Sequence, residues 1–148
     1  MDDTTRTAIE HACERLVAES AIALNTPDYD ALALLFTEDC QWEHPNAGSS
    51  WHGPDDLRTR IAPQLARHGA HGIIRYVPSM ICIEVESADR ANGLTYYTVY
   101  AHHGADPFDL PAPLNGPSGM AEWHDEFVRL QDGWRIARRR SVHLFRRG

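Results

Sequence analysis

Nine histidines in 148 residues raise two kinds of chemistry, metal binding and proton transfer. His68 and His71 stand three apart near the end of a helical stretch, and His102 and His103 are adjacent in a loop segment. Neither pair has a Cys, Asp or Glu at ligand spacing and no HExxH occurs, so no metal site is expected. His44 is placed differently, in the short run Trp42-Glu43-His44-Pro45. An imidazole with an ordinary pKa of about 6.5 suits proton transfer near neutrality; the alternative is an inert, hydrogen-bonded histidine at a strand end. Counting back from Asp132-Gly133 puts Glu122, His124, Glu126 and Val128 on one face of a strand, and Trp123, Asp125 and Phe127 on the other. If the first set faces inward, His124 and Glu126 join His44, and burial would raise the carboxyl pKa of Glu126 towards that of a general acid. The apolar bulk of Trp123 and Phe127 supports the opposite register. Tyr97 shares a face with Thr95 and Val99, while Tyr96 and Tyr100 point the other way. A phenol such as Tyr97 or Tyr76 can donate to a developing oxyanion but is a poor base at neutral pH.

These residues need a scaffold, and the chain reads as α+β. Ile9, Ala12, Cys13, Leu16, Val17, Ile22 and Leu24 recur at helical spacing over 7–24. Asn25-Thr26-Pro27-Asp28 stops that helix and opens a short second one with Tyr29, Leu32, Leu34, Leu35 and Phe36 as its buried stripe. A brief strand covers 40–44 and ends at Pro45-Asn46-Ala47-Gly48. Gly53-Pro54-Asp55-Asp56 opens a third helix running to about Arg67, with acidic residues where the helix dipole favours them. Strands follow at 76–85, with Pro78 hinting at an edge or bulge, and at 94–101. A proline-rich stretch from His103 to Ser118 reads as a long exposed loop, whose part from Asp106 to Ser118 is a lid over the cone mouth or a plain excursion. A hairpin closes the chain, with strands at 120–130 and 134–145 around Gln131-Asp132-Gly133. Three helices followed by mainly antiparallel strands form one domain over 1–148.

The bulk properties exclude several classes. A net charge of −7 argues against nucleic acid as a partner, and Arg138-Arg139-Arg140 alternates across a strand rather than forming a basic face. No apolar run nears the ~20 residues that span a bilayer. The acidic start lacks a secretion signal, and Cys13, Cys40 and Cys82 form no CxxC pair. A cytoplasmic protein with reduced thiols is the expectation. Neither a glycine-rich phosphate loop nor a GxSxG nucleophile elbow is present.

The stretch Ala23-Leu24-Asn25-Thr26-Pro27-Asp28-Tyr29-Asp30-Ala31-Leu32, then Leu35-Phe36-Thr37-Glu38-Asp39, Trp42 and Gly53-Pro54, resembles the opening of SnoaL-like proteins of the nuclear-transport-factor-2-like superfamily. The run from Asp125 to Ala137 is similar to that family's final hairpin. The resemblance implies three helices packed in the concave face of a strongly bent sheet around an apolar cavity. It also implies metal-free, cofactor-free proton chemistry and a homodimer formed through the outer sheet face. His44 takes the place of the general base of ketosteroid isomerase, with Trp42 one inward step earlier. The isomerase and scytalone dehydratase would have the face of His124 and Glu126 turned inward. Tyr76 stands where many relatives carry a catalytic histidine. Ser20 falls near the isomerase's oxyanion tyrosine, and Asn25 replaces the acidic residue that dehydratases and dehydrochlorinases keep near the helix end. Thr95 and Tyr97 do not match the Arg and Asp pairs of limonene epoxide hydrolase.

The expectation is an isomerase, dehydratase or cyclase acting on a largely apolar polyketide, steroid or terpenoid-type compound. His44, His124, Glu126, Tyr76 and Tyr97 are its candidate catalytic residues, and Trp42, Ser20, Asn25, Thr95, Val99 and Val128 its substrate contacts. A non-catalytic ligand-binding module or the small subunit of a larger oxygenase is the alternative. Epoxide hydrolysis is a third, requiring a water-activating Glu122 or Glu126.

Overall fold

The computed structural model describes residues 1–148. Helix α1 (Asp3–Asn25) starts where the side chain of Asp2 accepts from the Thr5 N–H at 2.7 Å, satisfying one free donor of its first turn. Its buried residues Ile9, Cys13, Leu16, Val17, Ser20, Ala21 and Leu24 follow a 3–4 spacing and form one stripe. Asp28 caps the short α2 (Tyr29–Leu34) by accepting from Ala31 N–H. This helix is shorter than its apolar pattern predicts. Leu34 is exposed, and Phe36 already belongs to strand β1 (Phe36–His44). A 3-10 turn (Pro45–Ala47) leads into β2 (Ser49–His52), which the sequence reading does not contain. Helix α3 (Gly53–Ala66) follows, with Pro54 in its first turn.

The remaining strands are β3 (Ile73–Val85), β4 (Arg90–His102), β5 (Gly119–Leu130) and β6 (Gly133–Arg146). They form one open, six-stranded mixed sheet in the order β2-β1-β6-β5-β4-β3. Every pairing is antiparallel except β1 with β6. β3 is an edge strand and carries a register shift between Pro78 and Met80, as its proline predicts. The α+β class and a helix-covered sheet are therefore as expected. Helix α1 lies chiefly against β3, and α3 against β1 and β2.

Of four register shifts in the sheet, two decide which side chains face the helices. In β3 the extra residue Ser79 lets both Tyr76 and Ile81 point inward. In β6 the extra residue Ala137, opposite Glu126 and Phe127, turns Ile136, Arg139 and Ser141 inward together. A third shift, at Met120/Ala121, sits near the open end of the hairpin. At Gly93 a Cβ would come within 2.8 Å of the Phe127 ring, so the bare backbone there lets that ring seat on the sheet. Cys13 and Cys40 are buried free thiols, and burial pushes the Cys13 pKa up to about 12. No helix is long and apolar enough to cross a membrane.

Candidate functional site

The sheet and the helices enclose an inner chamber of about 70 Å³. Strand β1 supplies Trp42 and His44, β2 supplies Trp51, and the antiparallel register pairs Trp42 directly with Trp51. Tyr76, Tyr97 and Trp123 come from the adjacent strands β3, β4 and β5, and Ser141 and His143 from β6. Helices close the chamber with Leu24, Ile61, Gln64 and Leu65. His44, Gln64, Tyr76 and His143 also line a wider mouth of about 810 Å³ that opens outward.

The His44 ring lies 4.2 Å from Trp51 and 5.5 Å from Trp42, centroid to centroid. Its Nε2 is buried and has no hydrogen-bond partner. Removal from water, and then the neighbouring His143, pushes the His44 pKa down to about 4, so the ring is neutral at neutral pH. Burial also lowers the pKa of His143. On the opposite wall the Tyr97 ring stacks on Trp123 at 4.3 Å, with Tyr76 at 5.9 Å from Tyr97. Burial raises both phenol pKa values, Tyr97 the more, although Ser141, Arg139 and Trp123 near its hydroxyl work against the shift. Both remain protonated donors. Trp42 Nε1 donates to Ser141 Oγ at 2.8 Å, whereas Trp123 Nε1 is buried without a partner in hydrogen-bond geometry.

Behind this wall lies a fully buried ion pair. Arg139 Nε and Nη2 each donate at 2.7 Å to one carboxylate oxygen of Asp125, and Nη1 donates at 2.9 Å to Ser20 Oγ. Ser20 Oγ itself donates to the Val17 carbonyl. The guanidinium carbon sits 4.0 Å from the Trp123 ring centroid and 5.2 Å from that of Trp42, a cation–π arrangement.

The expected His44–Tyr76–Tyr97 set thus lines one chamber, with Trp42 beside it and Val99 at the mouth. The expected inward face of β5 is corrected. Trp123, Asp125 and Phe127 are buried, while His124, Glu126 and Val128 lie on the outer face of the sheet. There His124 contacts Glu122 at 2.8 Å, and Glu126 lies 3.9 Å from Arg138, which also pairs with Glu43. The physical reason is that Trp123 and Phe127 gain more by burial than two charged side chains could, and Asp125 goes inward because Arg139 meets it there. Epoxide hydrolysis loses its residue by the same fact, since Glu122 and Glu126 share that outer face and both oxygens of Asp125 are engaged.

Ser20, Asn25 and Thr95 stand behind the wall rather than in it. Thr95 is buried with an unpaired hydroxyl. Asn25 clasps the β3 backbone, its Nδ2 donating to the Tyr76 carbonyl at 3.0 Å and its Oδ1 accepting from the Tyr76 N–H at 2.7 Å. Asn25→Asp keeps the acceptor but sets a carboxylate against that carbonyl. The expected loss is about 1–3 kcal/mol of unfolding free energy in urea titration; an unchanged midpoint would show the clasp to be dispensable. The residues missed in the sequence are Trp51, Trp123, Ser141, His143 and the Asp125–Arg139 pair. Only the alternation of Trp123 with Phe127 offered a signal for any of them.

No three His, Cys, Asp or Glu side chains stand together as a metal-holding group. Among solved structures the chain is similar to a putative scytalone dehydratase from Novosphingobium aromaticivorans, at 20% identity and a TM-score of 0.78 over 97% of this chain and 89% of that one. The hexachlorocyclohexane dehydrochlorinase LinA-type3 from Novosphingobium barchaimii matches at 17% and 0.77 over 97% and 92%. ActVI-ORFA from Streptomyces coelicolor matches at 19% and 0.75 over 92% and 97%. At these identities the likeness is one of fold. No curated protein matches the chain. Residues 5–140 match the SnoaL-like domain, and with a helix-covered sheet around this chamber, the chain belongs to the SnoaL-like family.

Proposed function

We propose that the protein is a proton-transfer enzyme of isomerase or dehydratase type, acting on a small, largely apolar compound with a carbonyl group. His44 moves the proton, and the Tyr76 and Tyr97 hydroxyls donate to the oxygen that gains charge. The observation that carries this reading is the His44 Nε2, buried, unpartnered and at the wall of an aromatic chamber. Folded proteins rarely leave such an atom unsatisfied without a use for it.

In the proposed step, Nε2 takes a proton from a carbon next to the carbonyl. The C–H electron pair becomes the enolate π bond, and the carbonyl π pair moves to oxygen. The imidazolium is disfavoured by burial, which with the neighbouring His143 holds its pKa near 4. The enolate oxygen formed beside it supplies the opposite charge, so the two charges appear together and stabilise each other. Phenol donors aimed at that oxygen act most strongly in a dry site. Return of the proton to a different carbon completes an isomerisation. Its transfer to a departing β-hydroxyl completes a dehydration and releases water. Two structural relatives are a putative dehydratase and a dehydrochlorinase, and eliminations of that kind also remove a proton from carbon.

Tyr97 gives a direct test. Exchange of the α-protons of 2-indanone in D2O, followed by NMR, measures abstraction without knowledge of the natural substrate. Tyr97→Phe keeps the stack on Trp123 and removes only the donor. Exchange is expected to slow about 10²-fold at unchanged thermal stability; full exchange activity in this variant would remove Tyr97 from the site.

A further inference from the structure

The mouth of the chamber is lined by basic and neutral side chains. The chain carries a net charge of −7, yet no Asp or Glu lines this opening. Its wall holds Arg67 and His68 from the end of α3, His103 from the loop after β4, and His143 and Arg146 from β6. Neither Arg67 nor Arg146 makes an ion pair. The His68 and His103 rings lie 4.6 Å apart, and His68 Nδ1 is buried with no hydrogen-bond partner. Two free guanidinium groups and the His68 ring, with its orphaned nitrogen, therefore line one cavity from two separate elements, the end of α3 and β6.

We propose that the ligand of this site carries an anionic group, carboxylate or phosphate, held at the mouth by Arg67, Arg146 and His68 while its apolar part enters the inner chamber. This rests on the reading of the chamber as the substrate site, and it adds the substrate class: an amphiphilic acid rather than a neutral hydrocarbon-like molecule. Guanidinium groups suit either anion, since their N–H forks match both oxygen geometries. His68 has a ring N–H to give and lies on the same wall.

Binding is measured by quenching of tryptophan fluorescence, because Trp42, Trp51 and Trp123 all line the inner chamber. The probes are 3-phenylpropanoate, 2-phenylethyl phosphate and the neutral 3-phenylpropanamide, which share one apolar part. At least one anion is expected to bind about fivefold to tenfold tighter than the amide, the gain of two partly exposed charge contacts. That preference should shrink as salt rises and vanish in the Arg67→Gln/Arg146→Gln double variant, where the amide binds as before. A lead for the phosphate assigns a phosphoryl group, and a lead for the propanoate assigns a carboxylate. Equal binding of all three, binding of none, or a preference that survives in the double variant overturns the proposal. Proton abstraction from neutral 2-indanone is a separate readout, so it can persist when this proposal fails and fail when this one holds.

Discussion

Replacing His44 by Gln is expected to abolish most α-proton exchange on 2-indanone, by about 10²–10⁴-fold, while leaving the protein folded. Gln is close in size and can still lie between Trp42 and Trp51, but its amide does not accept a proton at neutral pH. The same variant changes acid stability in a defined direction. In the folded protein the His44 pKa is about 4, against 6.5 for the free side chain. Below pH 6.5 the unfolded chain therefore takes up a proton that the folded chain refuses, and stability falls as pH drops from 6.5 through 4. Above pH 6.5 both states are neutral and the residue adds no pH dependence. His44→Gln should consequently lose less stability than the wild type between pH 7 and pH 4, with part of the slope remaining because burial also lowers His68 and His143. Urea titrations across that range give the comparison. Identical slopes would mean that His44 is well solvated, and unchanged exchange would mean that another group takes the proton.

The expectations that succeeded rested on one-sided periodicity. Helix α1 presents a single buried stripe, from which the expected Ile22 departs by being exposed, and β4 places Thr95, Tyr97 and Val99 on its inner face while Tyr96 and Tyr100 face out. Pro78 marked the edge strand and its bulge because a residue without an N–H has few places in a sheet. The failures come from register, which local sequence does not encode. Strand β5 contains two alternating sets, one with Trp123 and Phe127, the other with His124 and Glu126. Asp125 in the apolar set reads as an error until Arg139 is placed opposite it. That placement depends on the bulge at Ala137. With Ile136 inward and no bulge, Arg138 and Arg140 would face the core and Arg139 would face water. One extra residue decides which of three consecutive arginines is buried. Trp51 escaped notice for a simpler reason: Ser49–His52 is too short to show alternation, and only its pairing with β1 makes it a strand.

Breaking the Asp125–Arg139 pair is expected to cause the largest loss of stability of any change to the site. Both side chains are 0% exposed, so Asp125→Ala leaves a guanidinium in the core with its two carboxylate bonds gone. A broken buried pair costs about 3–5 kcal/mol, equivalent to a fall of roughly 10 °C in the melting temperature for a domain of this size. Arg139→Met should be comparably harmful, because it strands the carboxylate and removes the cation over Trp123. The double replacement Asp125→Leu/Arg139→Met removes both charges at once. Desolvating the two ions opposes their attraction in the native protein, so the double variant should recover most of the lost stability. The cycle then returns a coupling energy of a few kcal/mol. If the double variant is as unstable as the sum of the two single changes, the side chains contribute independently and the ion pair does not hold this part of the core. Activity separates the pair's second role. The guanidinium lies within 5.2 Å of both the Trp42 and Trp123 ring centroids, which wall the chamber on either side of Ser141. Restored stability with weakened 2-indanone exchange would identify the pair as the support that sets the spacing of the aromatic wall around His44 and Tyr97. Restored stability with full exchange would reduce it to a folding element.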